Sequence, residues 1–100
     1  MKKAALAKLE ANAADIARML RVFANERRIC ILYRIATSNE ELSIAALADR
    51  TQISQSALSQ HLKKLRKGGL IVARRAGHNL FYRIVDPRAA QLAIGLQKLL

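Results

Sequence analysis

Over residues 4–23 the apolar side chains recur at Leu6, Leu9, Ala13, Ile16, Leu20 and Phe23, a 3-4-3-4-3 spacing. That rhythm puts one narrow seam on a helix, the pattern of a coiled-coil contact rather than of a broad core face. Packing onto the chain's own core is the other reading of the seam. A second helix starts after Asn25, a good N-cap, with Glu26 well placed for the dipole in the first turn. Its apolar residues, Ile29, Cys30, Ile31, Leu32, Tyr33, Ile35 and Ala36, cover most of the circumference and predict a buried central helix. The next two helices share a start signal. Leu42-Ser43 is answered by Leu47, and Ile53-Ser54 by Leu58, each a serine N-cap with a hydrophobic staple around it.

The two helices so opened, about 43–50 and 54–67, are separated only by Thr51-Gln52-Ile53, and the second runs into Gly68-Gly69, a strong C-cap. Two short helices about a tight turn make a helix-turn-helix. After Gly69 the period changes to that of strands. Leu70–Arg75 and Leu80–Val85 flank Ala76-Gly77-His78-Asn79, a β-hairpin with a glycine-containing tip. Asp86-Pro87 then opens a last helix with a stripe of Leu92, Leu96, Leu99 and Leu100. The predicted order is α-α-α-α-β-β-α: a mainly helical chain with a small hairpin directly after the second helix of the helix-turn-helix, hence a winged helix-turn-helix. The 100 residues form one domain, 1–100.

Charge changes the picture from fold to partner. Lys and Arg number 18 against 7 Asp and Glu, a formal charge of +11. Residues 50–85 hold eight of those bases (50, 63, 64, 66, 67, 74, 75 and 83) and no acid. Such a block marks the docking place of a polyanion. On the helix from Ser54 to Lys67, Leu58, Leu62 and Leu65 lie within about 60° of one another and form the buried side. Ser56, Gln60, Lys63 and Lys67 point away from it, flanked by Ser59 and Lys64. Amides and hydroxyls toward the N-terminal end suit base edges, and lysines toward the C-terminal end suit phosphates. Arg74, Arg75, His78 and Asn79 surround the hairpin tip, and a thin basic tip fits a minor groove. His61 sits beside the apolar stripe, either bonded locally or touching the nucleic acid.

Other chemistries fall away. Hydrophobic residues make up 52%, too many for a disordered chain, and no apolar run approaches a membrane span. Lys8, Glu10, Asn12 and Asp15 interrupt the Met1-Lys2-Lys3 start too early for a signal peptide. The single cysteine, Cys30, excludes an internal disulfide and points to a reducing cytoplasm. Two histidines, His61 and His78, with no thiol or carboxylate beside them make a poor zinc set, so no metal and no cofactor is expected. No catalytic constellation or phosphate-cradling glycine loop is present, which excludes an enzyme. Sequence-specific regulator and architectural DNA binder of low specificity both remain open.

Asn25-Glu26-Arg27-Arg28, Ser54-Gln55-Ser56-Ala57-Leu58-Ser59-Gln60-His61-Leu62, Leu65-Arg66, Gly69-Leu70 and Arg74-Arg75 together resemble the ArsR/SmtB family of bacterial winged-helix repressors, in its HlyU/NolR/BigR-like branch. The resemblance covers about residues 15–98. It implies a homodimer joined through the first and last helices (Leu6, Leu9, Ala13, Ile16, Leu20, Leu92, Leu96 and Leu99) and bound to an inverted repeat in double-stranded promoter DNA. By position, Gln55, Ser56, Ser59, Gln60 and His61 approach bases or phosphates, while Arg75, His78 and Asn79 meet the flanking groove; Lys63 and Lys64 stand for the phosphate backbone on the helical-face reading alone. The family's metal sites are missing: residues 41–48 contain no Cys, and residues 87–100 contain no His, Asp, Glu or Cys. The redox branch carries a thiol directly after an Ile-Leu pair. Here Ile31-Leu32 is followed by Tyr33, and Cys30 lies three residues earlier. Cys30 is therefore expected as a small buried hydrophobe, a single-thiol redox response being the alternative. The effector is left unidentified.

Overall fold

The computed structural model describes residues 2–100. Over these the chain runs as α1 (Lys3–Phe23), α2 (Glu26–Ala36), β1 (Leu42–Ser43), α3 (Ile44–Thr51), α4 (Gln55–Lys67), β2 (Ile71–Ala76), β3 (Asn79–Ile84) and α5 (Pro87–Leu96), closing in a 3-10 turn at Gln97–Leu99. The helix starts follow their caps. Asn25 Oδ1 accepts from the backbone N–H groups of Arg27 and Arg28 at 3.0 and 3.1 Å. Ser43 Oγ accepts from Ala46 N–H and Ser54 Oγ from Ala57 N–H, while Leu42, Leu47, Ile53 and Leu58 are all buried as the staples require. Asp86 accepts from Arg88 N–H ahead of Pro87. The end of α4 is a Schellman turn. Leu70 N–H donates to Leu65 C=O, Gly69 N–H donates to Arg66 C=O, and Gly69 takes φ +78°, where a side chain is strained.

The core is aliphatic. Ile31 and Leu32 of α2, Leu47 of α3, Leu58, Leu62 and Leu65 of α4, and Leu42, Leu70 and Ile71 around the sheet are its deepest side chains. Three strands, not two, make that sheet. β1 pairs antiparallel with β3 (Leu42 opposite Tyr82, Ser43 opposite Phe81), and the strand order is β1-β3-β2. The hairpin itself has a two-residue turn, Gly77-His78, with Ala76 opposite Asn79. Gly77 at φ +63° is the first central residue, as a type II′ turn demands.

Two expectations are corrected. α2 is not buried all round. Ile31, Leu32 and Ile35 enter the core, whereas Ile29 and Cys30 are exposed. Only one side of α2 meets α3, α4 and β3, and Ala89 and Ala93 of α5 are too small to wrap the rest. The leucine stripe of the last helix is also shorter than expected. α5 ends at Leu96, leaving Leu99 and Leu100 exposed beyond it. α1 likewise commits only Met19 and Phe23 to the core; Leu6, Leu9 and Leu20 each remain 44–45% exposed.

Two glycine substitutions test this backbone. Gly69→Ala costs about 1 kcal/mol, because its φ is left-handed. Gly95→Ala, in α5 with nothing within 4 Å of a new Cβ, instead raises stability by about 0.5–1 kcal/mol through helix propensity. Urea denaturation of both variants and the wild type reads the opposite signs.

Candidate nucleic-acid interface

α4 is fixed from behind and free in front. Leu58, Leu62 and Leu65 are at most 1% exposed, while Gln55, Ser56, Ser59, Gln60, Lys63, Lys64 and Lys67 are all exposed. Among the described residues the ion pairs join Asp15, Glu41 and Asp86 to Arg18, Arg74, Arg83 and Arg88, so none neutralises an α4 lysine. The result is a row of unsatisfied donors and acceptors on a rigid cylinder whose width suits a major groove. The turn that aims it is held by its own side chains. Gln52 takes φ 60° and donates from Nε2 to Asp49 C=O at 2.7 Å. Thr51 Oγ1 donates to Leu47 C=O at 2.6 Å and accepts from Ile53 N–H.

The hairpin projects the second set of residues. Arg75, His78 and Asn79 are exposed at its tip, next to the Gly77-His78 turn. Arg74 differs from the expectation of a free tip cation. Its Nε donates to Glu41 Oε1 at 2.7 Å and its guanidinium lies 5.2 Å from the centre of the Phe81 ring, its cross-strand partner. Arg83 reaches the other Glu41 oxygen at 4.0 Å. The acid-free stretch of sequence is therefore not acid-free in space, because the segment leading into β1 lays Glu41 against the hairpin. Arg74 orients the wing, and Arg75 is the arginine left for a ligand.

His61 is half-buried, and its Nδ1 is buried without a hydrogen-bond partner. Burial first, and then the nearby charges of Arg28, Arg27 and Lys64, hold its pKa below the ordinary imidazole value. Those arginines come from the start of α2, far away in sequence, and were not expected around His61. Cys30 is exposed, against the expectation of a buried thiol. Its neighbour Tyr33, standing where the redox branch carries a thiol, instead donates its hydroxyl to Gln97 Oε1 at 3.0 Å and so ties α2 to the C-terminal turn. Among the described residues no group of three His, Cys, Asp or Glu could hold a metal ion, and no helix is long and apolar enough to cross a membrane.

Known proteins share this arrangement. The model of the bacterial regulatory protein, arsR family, matches residues 25–72, from the cap of α2 into β2. The transcriptional activator HlyU of Vibrio cholerae is 43% identical over 77 residues, which are 77% of this chain and 69% of that protein. The crystal structure of the transcriptional repressor BigR from Xylella fastidiosa superimposes with a TM-score of 0.86 at 28% identity, over 99% of this chain and 96% of that one. A homodimeric winged helix-turn-helix DNA-binding domain from Mycobacterium bovis, a possible ArsR-family transcriptional regulator, superimposes with a TM-score of 0.74 at 34% identity, over 91% and 83% of the two chains.

The His61 environment sets a pH dependence. Its folded pKa lies below the unfolded value of about 6.5, so the unfolded chain takes up the proton first. The stability it contributes is complete above that value and is lost as pH falls toward the folded pKa. The urea midpoint therefore drops from pH 7.5 to 5, and His61→Gln flattens this drop. An unchanged profile in the variant would remove His61 as the cause.

Proposed function

The chain belongs to the arsR family of bacterial regulatory proteins, is a winged helix-turn-helix transcriptional regulator, and from that footing we propose that it represses transcription by binding an inverted-repeat promoter operator as a homodimer. The observation carrying the reading is the outer face of α4, a bond-free row of Gln and Ser that gives way to Lys, set beside a basic wing. Gln55, Ser56, Ser59 and Gln60 meet base edges in the major groove, and Gln60 has the amide that pairs bidentately with adenine. Lys63 and Lys64 meet phosphates, with His61 at their flank, and Arg75, His78 and Asn79 enter the adjoining minor groove while Arg74 steadies the wing. An architectural binder has no need of this amide and hydroxyl row, since backbone charge suffices for it. The cytoplasm, where the DNA lies, is the place of action.

Pairing follows from the unpartnered seams. Leu6, Leu9, Ala13 and Leu20 on α1 and Ile94 and Leu99 toward the C-terminus are exposed, with Ile16, Leu92 and Leu96 half-buried beside them. A second copy covers both seams in a single domain of residues 1–100, its interface built from the first and last helices. The homodimeric state of the Mycobacterium bovis domain supports this. Two-fold symmetry then sets the recognition helices about 34–36 Å apart, one turn of DNA. Neither thiols in residues 41–48 nor metal-ligating side chains in residues 87–100 are available, which supports an effector other than a metal. The exposure of Cys30 favours a second reading of the regulation, a single-thiol redox response; Cys30→Ser compared with wild type under peroxide separates the two.

Selection of bound duplexes from a random pool yields an inverted repeat, preferred over random DNA by roughly 10³-fold or more. Gln60→Ala relaxes one base-pair position per half-site, at a cost of about 1–3 kcal/mol. Lys63→Ala weakens all sequences alike and flattens the salt slope by about 1. Added zinc changes neither measurement. A Gln60→Ala protein with unaltered base preference would remove α4's outer face as the reader.

Sedimentation equilibrium at micromolar concentration gives a mass of twice 11.1 kDa for the wild type. Leu9→Lys shifts it toward the monomer, because a charge placed in the apolar seam lacks a partner there. A wild type that sediments only as monomer would overturn the pairing.

A further inference from the structure

A basic basin of about 600 Å³ opens where the last turn of α4 meets α1, the start of α2 and the start of α5. Arg18, Arg21, Arg28, Lys64, Lys67 and Arg88 line it, against the two carboxylates of Asp15 and Asp86, a surplus of four positive charges. Most of it lies off the reading face of α4, and only Lys64 and Lys67 are shared between them.

The basin is built rather than a chance gathering of flexible chains. Gly68 makes it possible: a Cβ there would stand 2.8 Å from Cγ2 of Val22, so the missing side chain lets the end of α4 close onto α1. That contact carries Lys64 and Lys67 up to the arginines of α1. Arg28 is oriented by donation from Nε to Val22 C=O at 2.6 Å. Arg88 is gripped by Asp15 at 2.7 Å and by Asp86 at 3.0 Å, and Arg18 shares Asp15 at 3.2 Å. Both carboxylates are thus spent on holding arginines in place. Among the described residues no carboxylate lies within ion-pair distance of Arg21, Lys64 or Lys67. Holding cations together in a concave site costs free energy that a multiply charged oxyanion returns, and guanidinium forks match phosphate oxygens in geometry.

We propose that this basin binds phosphate groups, as an anion site separate from the base-reading face of α4. The phosphate comes either from DNA backbone beyond the bases that α4 reads, or from a free phosphorylated metabolite; the recognition chemistry is the same. The DNA source rests on the function proposed above, whereas the free source does not.

The test uses the full chain as wild type, as the double variant Arg18→Gln/Arg21→Gln, whose two residues line the basin from α1 and lie off α4, and as Arg75→Gln, a wing control outside the basin. Calorimetric titration with inorganic tripolyphosphate, without DNA and at fixed ionic strength, reads the free source. Saturable binding at one site per chain, weakened at least tenfold in the double variant and unchanged in Arg75→Gln, supports it. The salt dependence of DNA affinity reads the other source. With no tripolyphosphate bound, a slope flattened by about 2 in the double variant assigns the basin to DNA backbone. If the double variant alters neither measurement, or if Arg75→Gln weakens tripolyphosphate equally, the basin is only solvated charge and the proposal fails. A wild type that binds tripolyphosphate but no DNA would refute the function proposed above and leave the basin standing.

Discussion

Leu58, Leu62 and Leu65 hold α4 by one side only, and the rest of the molecule is arranged so that this is enough. Each is almost completely removed from water, a gain of roughly 2–3 kcal/mol per side chain. They pin the helix without help from its other side, which stays exposed. The devices around α4 act toward the same end. Ser54 and its staple fix where the helix begins, the Schellman turn fixes where it stops, and Gln52 with Thr51 fixes the angle at which it leaves α3. Ile31 and Leu32 of α2 and Leu47 of α3 form the platform. The exposed face of α4 is held from behind and from its two ends.

Electrostatics follows the same division. A chain of +11 repels itself, and three of its seven acids, Asp15, Glu41 and Asp86, are placed where they hold arginines. Glu41 sets the wing through Arg74 and Arg83, and Asp15 and Asp86 set Arg88. These pairs are exposed, so each contributes little stability. Their effect is positional. The lysines of α4 and Arg75 stay unneutralised, and the repulsion among them is the cost of readiness for an anion.

The fold was legible where one local signal decides a structure. Asn25, Ser43 and Ser54 as caps, Asp86-Pro87 as a helix opening, Gly68-Gly69 as a helix stop and Gly77 in the turn all act within a few residues of themselves, and the exposed face of α4 follows from helical period alone. What escaped depends on contacts across the chain. β1 is two residues long, and those two residues already read as the staple and cap of α3, so nothing local marks them as a strand. Glu41 lies 33 residues from Arg74, and the acid-free block of sequence hid their meeting. α2 read as buried all round because six of its residues are aliphatic or aromatic in character, but burial needs neighbours, and Ala89 and Ala93 supply only a thin one. Cys30 fell on the uncovered side. His61's arginines and the basin escaped for the same reason: they gather residues from four elements that only packing brings together.

The strand order β1-β3-β2 leaves β2 with one side unpaired. An open strand edge is a template on which further chains add, and natural sheets blunt it with charge. Here Arg74 and Arg75 stand on that edge strand, next to the exposed Val72. The arginines of the wing therefore guard the free strand edge against association. Neutralising them with β-branched residues would leave a short, apolar, unguarded strand, and the outcome would be edge-to-edge association of the protein before any altered preference for its ligand came into view.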